Sequence, residues 1–469
     1  MLNILALDPG KVSGLSLPER DALQDLLDIY LAHHAQNFEK NKYYEGKIPL
    51  SEVNLGIALP EDFNKLEGDC PWGAKCVDVL AARSMFDGFV GMNGTSVPEL
   101  DQIVLDNNLL AEYKKACKDE LKYGCCFSTL SKDPNIGAKI RFHSPRTAAA
   151  RWDGDKGRIA YGMAIITTTP LNSAPDTQVP SVIYLHFDYS VIVLRRVDDE
   201  SFVATRYLHR MGRPLMEPLI WSPTSEKPLG QSRIKAPIRG LIRKFIRTMA
   251  NSSVGLEFIT APQKYLLGVS DEQYEKVINQ KFRQYVGSIL ASTNNPETGE
   301  KPSFGQLPQG SISPHIEMLR ALATQFSAAT GLPVTDTGVV NDANPSSSDA
   351  IEAQTKTLVS LAEDLNAGNG TALRTIALMA LAVANDSTLE DLTDEQKAII
   401  AQFKNPAMPS VAATADAAIK ISSVRKSFAS TDTFLEMLGF SQADIRRIKA
   451  QEQRNQGLDL FNEIEVPEE

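Results

Sequence analysis

The residues best suited to chemistry in this 469-residue chain fall into constellations that chemistry does not favour. Gly10-Lys11 in "DPGKVSG" has the residue types of a phosphate cradle. It lacks the G-x-x-x-x-G-K-[ST] spacing that aligns backbone N–H groups on a nucleotide, so the expectation is a flexible terminus. The histidines are His33, His34, His143, His186, His209 and His315, and none forms H-x-x-x-H or H-E-x-x-H. Adjacent His33 and His34 face different sides of a helix and cannot share a metal. No G-x-S-x-G elbow is present. Asp198-Asp199 sits at a turn, where solvated charge is the ordinary reading. The five cysteines, Cys70, Cys76, Cys117, Cys125 and Cys126, make an odd count without C-x-x-C spacing. Reduced thiols are expected, with Cys125 and Cys126 in "YGCCFST" buried where a helix enters a strand. No catalytic residue, cofactor or metal ligand is assigned.

One charge pattern stands out. Arg239, Arg243 and Arg247 recur at i, i+4 and i+8, which lines one stripe of a helix, with Arg233, Lys235 and Lys244 nearby. Residues 231–250 hold six basic side chains and no acidic one. Such a stripe either meets phosphate or an acidic partner, or is a solvated face or an inter-subunit salt-bridge strip.

These residues need elements to hold them. Helical spacing runs through 17–47, with Pro18 in the first turn and Gly46 as the stop. Helices are also expected at 71–89, ending near Asp87-Gly88, and at 98–123, with Leu105, Leu109, Leu110, Tyr113, Cys117 and Leu121 on the apolar side. From 125 to 221 short β-branched and aromatic runs predict strands, with "DDE" at 198–200 as a hairpin tip. Helical periodicity returns at about 235–259 and at 313–330, the latter with Ser313 as N-cap, Pro314 in the first turn and Gly331 as the stop. A polar loop follows, then a helix capped near Ser346–Ser348 and running to about Asn385, with a possible break at "NAGNG", 366–370. The tail, 387–469, reads as helical and polar. The class is α+β.

Composition agrees: 43% hydrophobic and 23% charged residues are ordinary globular values. No run of about 18 apolar residues appears, so no membrane span is expected, and the N-terminus does not read as a signal peptide. The net charge of −10 disfavours tight wrapping of DNA.

Several stretches, in order along nearly the whole chain, resemble the portal proteins of tailed bacteriophages, of the siphophage type. They are "YYEGK" before "LGIALPEDF", "PWGAKCVDVLAARSMFDGF", "LKYGCCF" before "IRFHSPRTAAARWD", "GRPLMEPL" with "GQSRI", "APQKYLLGVS", "SPHIEMLRALATQFSAATGLP", "NPSSSDAIEAQTKTL" and "FKNPAMPSVAATADAAIKISS". Two places depart from the pattern: "PWG" replaces an Asn-Trp-Pro order, and "VTDTGVVNDANP" replaces a shorter Leu-Gly turn.

The resemblance implies a portal fold assembled as a ring, a homododecamer at one capsid vertex of the virion, put together in the host bacterial cytoplasm. It implies an α/β wing at 1–233, stem helix 1 at 234–260, a small α/β clip at 261–311 and stem helix 2 at 312–331. A tunnel loop at 332–348, a long wing helix at 349–386 and a helical crown region at 387–469 complete it. It further implies partners: the major capsid protein, a scaffolding protein, the terminase large subunit, a head-to-tail adaptor and double-stranded DNA in the channel, with no membrane. Thr335, Asp336, Thr337, Asn341, Asp342 and Asn344 would then line the channel, and Arg239, Arg243, Lys244 and Arg247 would form a basic stripe on the stem. The loop's charges are acidic up to Lys356, which disfavours sticking to a duplex that must move. The rival expectations are a nucleotide-dependent DNA-processing enzyme and a capsid adaptor that forms no ring.

Overall fold

The computed structural model describes residues 7–52, 67–91, 97–171, 174–198, 201–260, 264–267, 299, 301, 303–306, 310–339, 348–407, 411–425, 427–428, 431–440 and 442–463. The helices are α1 (Leu17–Glu45), α2 (Trp72–Arg83), α3 (Pro98–Asp106), α4 (Leu109–Tyr123), α5 (Ala236–Thr260), α6 (Ser313–Thr330), α7 (Ser348–Ala384), α8 (Asp394–Lys397), α9 (Val411–Val424), α10 (Asp432–Met437) and α11 (Gln442–Glu463). The strands are β1 (Val12–Ser13), β2 (Lys47–Pro49), β3 (Glu67–Asp69), β4 (Phe86–Gly91), β5 (Cys125–Asp133), β6 (Gly137–His143), β7 (Ala148–Asp153), β8 (Arg158–Leu171), β9 (Ala174–His186), β10 (Ser190–Arg196), β11 (Phe202–Leu208), β12 (Met216–Ile220), β13 (Lys264–Leu267), β14 (Ser303–Gln306) and β15 (Ile399–Phe403).

A six-stranded sheet has the order β1-β11-β10-β9-β8-β7, antiparallel except where β1 runs parallel to β11. One face of it is covered by α1, whose Leu23, Leu26, Leu27 and Tyr30 pack on Met163, Ile165, Ile183, Leu185, Ile192 and Leu194. The start and stop of α1 are local. Glu19 Oε2 accepts from the Ser16 N–H at 2.8 Å, and Gly46, at φ 75°, closes the helix in the left-handed conformation that suits glycine. A three-stranded sheet, β12-β5-β6, joins α2, α4 and α7 in the main core. β4 pairs with β15, and β13 with β14.

Four expectations change. The helix expected at 71–89 ends at Arg83, and Phe86–Gly91 is a strand because Ile399–Phe403, in the supposedly all-helical tail, pairs with it. Ile399 and Ala401 turn inward while Ile400 stays exposed, a period of two. The helix expected at 98–123 breaks at Asn107-Asn108, where Asn108 adopts φ 48°. Asn107 is buried there. Its Nδ2 donates to the Ile103 and Ala138 carbonyls at 3.0 and 2.9 Å, and its Oδ1 accepts from Ile140 N–H at 2.9 Å. The break rotates Leu105 off the apolar side, so it is 70% exposed, and Leu110 is exposed too. The α6 N-cap is Ile312 rather than Ser313, which is already helical.

The fourth change is "NAGNG", where α7 continues unbroken. Two internal glycines cost a helix about 1 kcal/mol each. Burial of Leu358, Ala362, Leu365, Leu373, Ile376, Met379 and Leu381 outweighs that cost. The asparagines are bonded inward. Asn366 Oδ1 accepts from Ser84 Oγ at 2.6 Å, and Asn369 Nδ2 donates to Tyr113 Oη at 3.0 Å and to Glu120 Oε2 at 2.8 Å. By length and composition Ala353–Ala384 would suffice to cross a membrane, contrary to the sequence expectation, but 56% of its most apolar window is buried inside the protein. It is a core helix here.

Candidate functional site

The most strongly built junction lies where α2, α5 and α6 meet the chain leaving α6. Trp72 opens α2 and is 0% exposed. Its ring stacks on Phe326 of α6 at 4.6 Å and lies 4.4 Å from Phe245 of α5. Its Nε1–H donates to the Thr337 carbonyl at 3.0 Å. The next residue must be glycine, because a Cβ on Gly73 would sit 1.9 Å from the Tyr43 carbonyl oxygen. "PWG" is therefore a packing device joining α1, α2, α5 and α6.

Thr337 ends a 3-10 turn, Val334–Thr337, entered through the left-handed Gly331. Thr335 is exposed, Asp336 half-buried and Thr337 buried. The Asp336 N–H bonds to the Pro333 carbonyl at 3.0 Å. The first half of the expected loop is thus a docked turn, which loop composition concealed. Asn341, Asp342 and Asn344 lie outside the described residues.

The basic stripe divides. Arg233 is turned inward: Nε donates to the Cys76 carbonyl and Nη2 to the Thr330 carbonyl, both at 2.6 Å, and its guanidinium lies over Trp221 at 5.6 Å. A cation on the last carbonyls of α6 satisfies groups that the helix leaves unpaired. Arg239 pairs with Glu39 of α1 and stands 6.0 Å above the Tyr43 ring. Arg243 and Lys244 are exposed and Arg247 half-buried, and none of the three has an ion-pair partner among the described residues. Lys235, at the start of α5, is exposed as well.

Replacing Arg239 and Arg243 together by Glu sets Glu against Glu39. The expected result is a loosened α1–α5 contact and a weaker surface for phosphate. Unchanged assembly and unchanged DNA retention in that double variant would exclude a role for the stripe.

The other candidates stay inert. Asp8 Oδ1 accepts from the Gly10 N–H at 2.8 Å, so a carboxylate occupies the place a phosphate would need. Pro9–Lys11 is a 3-10 turn leading into β1, not the flexible terminus expected. All five cysteines are free and buried, and burial pushes the Cys125 thiol up to about 12, which disfavours the thiolate. Among the described residues no three His, Cys, Asp or Glu side chains are placed to hold a metal ion.

No protein-family model matches the chain. In sequence the chain is similar to a protein described as a portal protein. That relative comes from Mycobacterium phage D29 and is 24% identical over 402 residues, covering 82% of this chain and 79% of its own length. Among solved structures, a chain of the virion of a native gene transfer agent particle overlays with a TM-score of 0.45 at 13% identity, over 80% of this chain and 90% of that one. Chains from the neck of the empty particle, computed with C6 symmetry, and of the native particle, computed with C12 symmetry, give 0.46 and 0.45 at 14% identity, each over 79% of this chain and 90% of the other.

Proposed function

We propose that this chain is a portal subunit that works by shape rather than by bond-making. Twelve copies form a ring at one capsid vertex, and the ring passes double-stranded DNA during packaging and ejection. It nucleates assembly with the major capsid and scaffolding proteins, docks the terminase large subunit and later seats the head-to-tail adaptor. The observation that carries this reading is the likeness to a phage portal protein along 82% of the chain. The surface of the long helices supports it. Met249 and Leu256 on α5, and Ile316 and Met318 on α6, are exposed. Neighbouring copies in a ring would cover them, as burial of apolar surface favours.

Negative-stain images of the purified protein test the proposal. End-on views of a perforated disc are expected, together with no hydrolysis of ATP by the protein alone. A monomer, or a particle without a central hole, would reject the ring and leave the adaptor reading. Hydrolysis would favour the enzyme reading.

The docked turn refines where a channel loop should be cut. Deleting 340–344, beyond the Trp72 anchor, is expected to leave ring formation intact and to reduce DNA packaging or retention. Loss of the ring instead would make that segment an assembly element.

A further inference from the structure

The face of the six-stranded sheet opposite α1 is not fully covered. It forms one wall of a cavity of about 660 Å³, whose other wall is β5 and the end of α7. Val191 and Val193 of β10, with Met211, Leu215, Ala382 and Val383, supply an apolar floor. The cations on its lining are Lys132, Arg195 and Arg210, and among the described residues its one carboxylate is Asp386, already paired with Lys132; burial lowers the pKa of His209, which favours its neutral form. Arg195 and Arg210 are exposed and make no ion pair among the described residues. Arg210 feels Asp391 only at a distance.

The two arginines cannot converge on one small anion. Arg195 lies opposite Val203, whereas Tyr207 lies opposite Val191, at the other end of the same strand pair. Four residues of strand span about 13 Å, and Arg210 lies beyond that far end. The ligand that fits is long, acidic towards both ends and apolar between them.

The backbone offers such a ligand a seat. β1 pairs with Phe202 and Val203, and Gly14 lies against the Ala204 backbone, so Thr205–Leu208 has no strand beside it on the outer edge among the described residues. Tyr207 and Leu208 at this edge are exposed, Leu208 at 81%. An unpaired edge of this kind accepts an extended peptide by main-chain hydrogen bonds, while alternate side chains enter the adjoining cavity.

We infer that β11 and this cavity form a docking site for an extended acidic segment of another protein, added as a strand beside Thr205–Leu208. Charge complementarity with Arg195 and Arg210 selects the segment, and the apolar floor takes its alternate side chains.

The test uses the full chain and a fluorescein-labelled heptapeptide, Glu-Ser-Val-Ser-Val-Ser-Glu, which places terminal glutamates and central valines on one face of a strand, followed by anisotropy. Saturable binding is expected, at least tenfold tighter than for the same peptide with lysine in place of glutamate. Arg195→Glu with Arg210→Glu should reverse that preference with an unchanged far-ultraviolet spectrum. Since both side chains are exposed, the fold should tolerate the swap. Absence of saturable binding, equal affinity for the two peptides, or an unchanged preference in the double variant would overturn the inference. Displacement of the peptide by an oligodeoxynucleotide of similar length would overturn it too, by making the groove a phosphate surface.

Discussion

Trp72→Ala is expected to cost about 3–5 kcal/mol of stability, the range for truncating a large, fully buried aromatic side chain. The reason is specific to this junction. The indole fills the space between Phe245 and Phe326, and no exposed edge lets the site relax into solvent. Its removal also leaves the Thr337 carbonyl without its donor. Trp72→Phe is the milder change. It keeps an aromatic ring against both phenylalanines but loses the N–H and the bulk of the second ring, so a cost of at least about 1–3 kcal/mol, that of an unpaired buried acceptor, is expected. Chemical denaturation midpoints check both variants. If Trp72→Ala unfolded within about 0.5 kcal/mol of wild type, as an ordinary surface substitution does, this tryptophan would not be what holds α2, α5, α6 and the following turn together.

The second large effect is on the pH dependence of stability, where opposite limbs come from different buried groups. Burial lowers His143 to about 4 and His186 to about 3. His143 Nε2 meets Thr129 Oγ1 at 2.9 Å, and the ring nitrogens of His186 have no hydrogen-bond partner among the described residues. Both are neutral in the folded protein, whereas an unfolded histidine titrates near 6.5. Their contribution is present above about pH 6.5 and is lost as pH falls towards their folded values. The loss is about 1.4 kcal/mol per pH unit for each group.

Glu120 behaves in the opposite sense. It is 0% exposed, burial raises it to about 8, and among the described side chains Asn369 is its one hydrogen-bond partner. Its contribution is complete below its unfolded value, near 4.3, and is lost as pH rises to about 8, again at about 1.4 kcal/mol per unit. Denaturant melts from pH 4 to 9 on wild type, Glu120→Gln and His186→Phe isolate each limb by difference. Glu120→Gln should gain on wild type as pH rises from about 5 to 8, and His186→Phe should gain as pH falls below about 6.5. Parallel profiles for all three would mean that neither group is held in its neutral form by the fold.

Part of this architecture is legible in the residues themselves. The limits of α1 follow from Ser16, Pro18, Glu19 and Gly46, and the stop of α6 from Gly331, because caps, proline and left-handed glycine act through the backbone next to them. The strand-rich stretch from Cys125 to Ile220 follows from its β-branched alternation. The helical stripe of Arg239, Arg243 and Arg247 is equally visible. Its division is not, since Arg239 is claimed by Glu39 on a helix about two hundred residues earlier.

Local sequence therefore determined the limits of α1, the stop of α6 and the strand character of the stretch from Cys125 to Ile220. Tertiary structure alone decided that Phe86–Gly91 is a strand, that α7 runs through its glycines, that Asn107 divides two helices and that Trp72 secures the turn after α6. Each of these depends on a partner far away in the chain. A pairing strand, a buried carboxyl or a carbonyl that needs a donor exerts no influence until the fold brings it within hydrogen-bonding distance, and then it outweighs a propensity of about 1 kcal/mol or less per residue.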